Sequence, residues 1–128
     1  MGDLACLSLQ VKRSLTISKA KSNTDFREVV RDCWATLNKD NFRLNVDRYG
    51  AAVGTVSASR ARALSRLCEL ARESVTTEHF RARFGRRGNA SAEVKTLKSD
   101  IADVLKDAKG KRCTEEEVRC PFLINSCA

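Results

Sequence analysis

Gln10 and Lys12 stand two residues apart in LSLQVKRSLTI, where Leu7, Leu9, Val11, Leu15 and Ile17 share one parity and Ser8, Gln10 and Lys12 the other. Alternation of this kind marks a strand with one apolar face. An amide and an ammonium are therefore presented together on its polar side. On a central strand such a pair lines a site, whereas on an edge strand it is an ordinary wet face. A second group lies in HFRARFGRRGN, where Arg81, Arg83, Arg86 and Arg87 accompany His79, Phe80 and Phe84. Arginines at a turn form a phosphate clamp, because each guanidinium offers a rigid fork of donors. The alternative is a solvated helix end whose phenylalanines face the core. Arg13, beside the strand pair, is placed with these arginines as a nucleic-acid contact. Arg60, Arg62 and Arg66 extend the patch if the helices carrying them lie side by side.

Other chemistry is narrowly bounded. His79 is the only histidine, which leaves no His-based triad or multi-His metal site, and its expected role is an exposed ring near a helix start. Cys113, Cys120 and Cys127 recur every seven residues, wider than the close pairs that zinc sites use. Cys6, Cys33 and Cys68 occupy apolar positions and read as core thiols. No G-x-x-x-x-G-K-[ST] phosphate loop is present.

The elements that position these residues follow from periodicity. After the first strand, Asn23 or Thr24 caps a helix DFREVVRDCWATLNK with Phe26, Val29, Val30, Cys33, Trp34 and Leu37 on one stripe. Tyr49 to Val56 reads as a short buried strand in which Gly50 and Gly54 permit close packing. Strand, helix and strand in that order form a βαβ unit with parallel strands. Helices follow from about Ala58 to Arg72, briefly through TTEHFRARFG, and from about Ala92 to Ala108, where Gly110 ends the last. Thr114 and Glu117 match a capping box, but Pro121 stops its helix after barely two turns. The expectation is α/β: residues 1–112 form a single domain with a helical C-terminal part of three or so helices, and 113–128 form a short irregular tail.

With 128 residues, 42% of them hydrophobic and 31% charged, the chain suits one packed core. Lys and Arg outnumber Asp and Glu by 24 to 16, so the formal charge is +8 and polyanions are natural partners. No segment approaches the roughly 20 apolar residues of a membrane span. The first residues lack a basic stretch followed by an uninterrupted apolar one, so a cytoplasmic location with free thiols is expected and no membrane contact.

The tracts LQVKRSLTIS, DFREVVRDCWATLNK and DRYGAAVG together resemble the core of the restriction-endonuclease-like nucleases, the PD-(D/E)xK superfamily, over Leu7 to Phe84. They look particularly like the double-stranded-DNA nuclease domains at the front of bacterial defence NTPases. Gln10-Val11-Lys12 is similar to the Gln variant of the (E/D/Q)-x-K signature. The resemblance implies a DNA hydrolase in which Gln10 supplies an oxygen near Mg²⁺ and Lys12 orients or polarises the attacking water. A hard cation would hold phosphate oxygen and water together while neutralising charge. The family places an acidic ligand upstream, and the sole residue here, Asp3, projects from the opposite face of a continuous strand from Gln10.

The chain thus reads as a truncated piece of a Mg²⁺-dependent deoxyribonuclease, binding DNA and associating with another copy or with missing parts of a parent nuclease. The alternatives are a non-catalytic basic module for nucleic acid or an acidic protein, or a non-functional truncated reading frame. The nuclease requires Gln10 and Lys12 to face a cleft, which the binding module does not.

Overall fold

The computed structural model describes residues 7–44 and 46–124. Asp3, Cys6 and Cys127 lie outside them. Among the described residues the architecture is mixed α/β, with two parallel strands in one sheet and five helices: β1 (Leu7–Leu15), α1 (Thr24–Leu37), β2 (Arg48–Val56), α2 (Ala58–Glu73), α3 (Thr77–Ala82), α4 (Ala92–Lys109) and α5 (Glu115–Ile124). The expected strand-helix-strand unit is present, followed by four helices where three or so were expected. Among the described residues no helix is long and apolar enough to cross a membrane.

Local chemistry sets the element ends. The Asn23 side chain accepts from the Phe26 N–H at 3.3 Å and caps α1. Its amide also donates to the Thr16 carbonyl at 2.6 Å, which ties the end of β1 to the start of the helix. Thr76 and Ser91 cap α3 and α4 in the same way. Gly110 closes α4 with φ 88°, a left-handed position that a residue with Cβ disfavours.

The strands pair in register Ser8↔Tyr49, Gln10↔Ala51 and Lys12↔Val53. The Lys12 ammonium reaches carboxylates of α1, and the Tyr49 hydroxyl donates to the Val29 carbonyl at 3.2 Å. The face carrying Gln10, Lys12 and Tyr49 is therefore the one turned to α1. This reverses the expectation that the apolar parity of β1 is the buried one. Leu7, Leu9 and Val11 are 57%, 55% and 75% exposed, and only Ile17, just past the strand, is buried.

The cause lies in where the helices pack. Phe26 and Val30 of α1 join Leu67 and Leu70 of α2, Leu97 and Leu105 of α4, and Phe122 of α5 in the main core. That core is built between helices, and the sheet rests at its border. A smaller cluster of Val29, Cys33, Tyr49 and Ile124 joins α1 to β2 and α5. An apolar groove of about 520 Å³ runs beside the sheet, with Leu9, Ala52, Leu64 and Phe122 in its wall.

In place of an irregular tail, Glu115–Ile124 is a helix. Its capping box is formed: the Thr114 Oγ1 accepts from the Glu117 N–H at 3.2 Å, and the Glu117 carboxylate accepts from the Thr114 N–H at 2.8 Å. Pro121 lies inside the helix and removes one backbone donor. Val118, Pro121, Phe122 and Ile124 are buried, and the helix packs on α2 and α3. Burying an aromatic such as Phe122 contributes about 1.5–3 kcal/mol, of the order of the helix interior's penalty for proline, about 3 kcal/mol. Tertiary packing thus carries the chain past the proline.

Candidate nucleic-acid interface

The pair on β1 is built from two elements. Alternation turns Lys12 toward α1, where its Nζ lies 3.3 Å from Glu28 Oε2 and 3.7 Å from Asp25 Oδ1. The lysine side chain is 15% exposed, Glu28 55% and Asp25 62%. Asp25 and Glu28 fall on one side of the helix because they are three residues apart. The ammonium is thus held by two anions on its own fold, and Gln10 beside it is half-buried. Neither the apolar groove beside the sheet nor the basic cleft between α4 and α5 takes Gln10 or Lys12 into its wall.

This donor set does not fit a Mg²⁺ ion. Magnesium demands anionic oxygens in near-octahedral array, and the two carboxylates present already face an ammonium. Among the described residues no group of three or more His, Cys, Asp or Glu side chains could hold a metal.

The arginine cluster is brought together only in part. Arg83 is turned inward: its Nε donates to the Ser74 Oγ at 3.1 Å, its Nη1 lies 3.7 Å from Glu73, and its side chain is 17% exposed. It anchors the end of α3 to the end of α2. Arg81, Arg86 and Arg87 are exposed, and none has a carboxylate within ion-pair distance among the described residues. The turn that carries Arg86 and Arg87 is fixed by Gly88 N–H donating to the Gly85 carbonyl at 3.0 Å and Ala90 N–H donating to the Arg83 carbonyl at 3.2 Å. A Cβ at Gly88 would fall on that same Arg83 carbonyl, so glycine is needed there for space.

Beneath the turn, Phe80 is fully buried and Phe84 half-buried, their rings edge-on at 5.0 Å. The phenylalanines therefore face the core, and the arginines outside them face solvent. His79 is exposed, with its Nδ1 accepting from the Val75 N–H at 3.4 Å. Arg13 is exposed on β1, which is bracketed by β2 and α1, whereas α3 packs on α5. Arg60 pairs with Asp100 at 3.7 Å, and Arg66 with Glu69 and Glu73 at 3.0 and 3.5 Å. Of the three conditional arginines, Arg62 alone is exposed without such a pair among the described residues.

Sequence reasoning missed the cations of α4. Lys98 and Lys106 stand three and eleven residues after Lys95, close to whole helical turns. That spacing was a signal, obscured by the apolar stripe of the same helix. Lys98 lies over the rings of Phe84 and Phe80 at 4.4 and 5.3 Å, a cation–π placement that supports the arginine turn from below.

Neither Cys33 nor Cys120 is an activated nucleophile. Burial, and then the Asp32 carboxylate, pushes Cys33 up to about 12. Burial, and then Glu116, pushes Cys120 up to about 11. Both stay protonated at neutral pH, unlike a reactive cysteine. The Tyr49 hydroxyl is likewise raised, chiefly by burial and then by Asp32.

Comparison with protein-family models, curated proteins and solved structures gives no match for this chain.

Proposed function

We propose that the chain is a nucleic-acid-binding module, with duplex DNA as its first target and Arg81 at the end of α3, with Arg86 and Arg87 on the turn after it, as its contact. The observation that carries this reading is the trio of exposed arginines without carboxylate partners among the described residues, Arg81 on the last turn of α3 and Arg86 and Arg87 on a turn held by its own backbone hydrogen bonds. A guanidinium already paired gains little from a phosphate, whereas a free one exchanges only water for it. Preorganisation lowers the entropy lost on binding. The overall charge of +8 adds long-range attraction to the same partner. Phosphodiester cleavage is left out, because Lys12 is engaged by Asp25 and Glu28.

The test is fluorescence anisotropy with labelled duplex DNA at two salt concentrations, on the wild type and on Arg86→Glu/Arg87→Glu. Wild-type affinity should fall steeply with salt, and losing two phosphate contacts should flatten the log–log slope by about 2. Binding that ignores both salt and the double variant would sink the reading. Plasmid incubated with Mg²⁺ or Mn²⁺ tests the nuclease alternative: metal-dependent cutting that Lys12→Ala abolishes would replace binding alone with hydrolysis.

A further inference from the structure

Between α4 and α5, beside Phe84, lies a cleft of about 530 Å³ with Lys95, Lys98, Lys106 and Arg112 in its wall. Two carboxylates share that wall, and each is already matched. Glu115 Oε2 lies 2.6 Å from the Lys98 Nζ, a pair whose side chains are 16% and 18% exposed. Asp103 lies 3.3 Å from the ammonium of Lys19, which reaches in from the loop after β1. Lys95, Lys106 and Arg112 remain, with no carboxylate within ion-pair distance among the described residues. Three cations around one recess repel each other, and the free energy of that repulsion is recovered by a ligand with several negative charges.

The recess has a second chemical character. Phe84, Ala102 and Val118 give it an apolar wall, and the Ser99 hydroxyl adds a neutral hydrogen-bonding group. Its volume lies within the range that encloses small organic ligands. Multiple negative charge on one side and a flat organic group on the other describe a nucleoside polyphosphate. Lysines bind phosphate as point charges and arginine binds it bidentately, so the cations present suit phosphoryl oxygens. We infer that the α4–α5 cleft is a binding site for a nucleoside di- or triphosphate, held by Lys95, Lys106 and Arg112. The inference does not rest on the DNA reading, since its cations are separate from the arginine turn.

Cys113 lies in the cleft wall and is half-buried, while Cys120 on α5 is half-buried outside it. Alkylation of the whole chain by iodoacetamide at alkaline pH, where a measurable thiolate fraction forms at both positions, followed thiol by thiol by mass spectrometry, therefore reports on the cleft with an internal reference. With ionic strength held constant by NaCl, ATP should slow Cys113 labelling about fivefold or more and leave Cys120 unchanged. The Lys106→Gln/Arg112→Gln variant, altered at exposed positions, should raise the half-protecting ATP concentration about tenfold or more, with circular dichroism unchanged. Adenosine alone should not protect. Unchanged Cys113 labelling at millimolar ATP would overturn the assignment. So would equal slowing of both cysteines, protection by adenosine, or protection that survives the double variant.

Discussion

Arg83 and Arg86 are three residues apart in a stretch that reads as uniformly basic, yet one is structural and the other faces solvent. Arg83 Nε is held by Ser74 Oγ, itself buried and donating to the Leu70 carbonyl at 2.6 Å. Its removal leaves the buried Ser74 Oγ short of a donor, which costs about 1–3 kcal/mol. Arg83→Ala should therefore lower the melting temperature, while Arg87→Ala should leave it in place and weaken DNA binding; thermal denaturation beside anisotropy separates the two. Composition made the basic cluster legible. It could not show which arginine turns inward, because that depends on how the turn folds back at Gly88 onto the Arg83 carbonyl. Gln10 and Lys12 show the same limit. Their shared face was readable from alternation, but that α1 would put Asp25 and Glu28 against the ammonium depends on the crossover.

At the scale of elements, periodicity and caps located α1, α2 and α4 within a residue or two, since each combines a capping position with an apolar stripe. Two errors share a cause. The apolar side of β1 was expected inside and Pro121 was expected to end α5, both on local rules, and in both cases the helical core decided otherwise. The cleft cations could not be assembled either, because Arg112 meets Lys95 and Lys106 only through the turn after Gly110. Ion pairs fasten these helices. Arg27 binds Asp107 at 2.6 Å and joins α1 to α4, while Lys109 binds Glu117 and joins the end of α4 to the capping box of α5. The hydrogen bond from Arg27 holds the Asp107 carboxyl below its usual range, and that from Lys109, with the Thr114 N–H, does the same for Glu117. Depressed folded-state values mean that the unfolded chain binds these protons first. Their contribution is thus full above the ordinary carboxylate range and fades as pH falls through it. Melting temperature should decline below about pH 4.5, and Glu117→Gln should flatten that decline.

Across the whole molecule, charge and apolar surface are unevenly shared. The helical half holds the main core and both candidate anion sites, whereas the sheet has two edges unpaired among the described residues and three exposed aliphatic side chains in a row. Edge strands are commonly guarded by lysine, but Lys12 is engaged by α1, which leaves Arg13 as the nearest guard on β1. At low ionic strength the net charge of +8 keeps copies apart. Added salt shortens the Debye length to about 3 Å at 1 M and removes that protection, while apolar attraction persists. Light scattering should therefore show association that grows with salt, and Val11→Lys should suppress it. The result opposes the usual handling of a basic protein. A high-salt wash of the kind used to strip polynucleotide from basic proteins would screen the charge that holds exposed strands of different copies apart, so the cleanest preparation would also be the one most prone to precipitate.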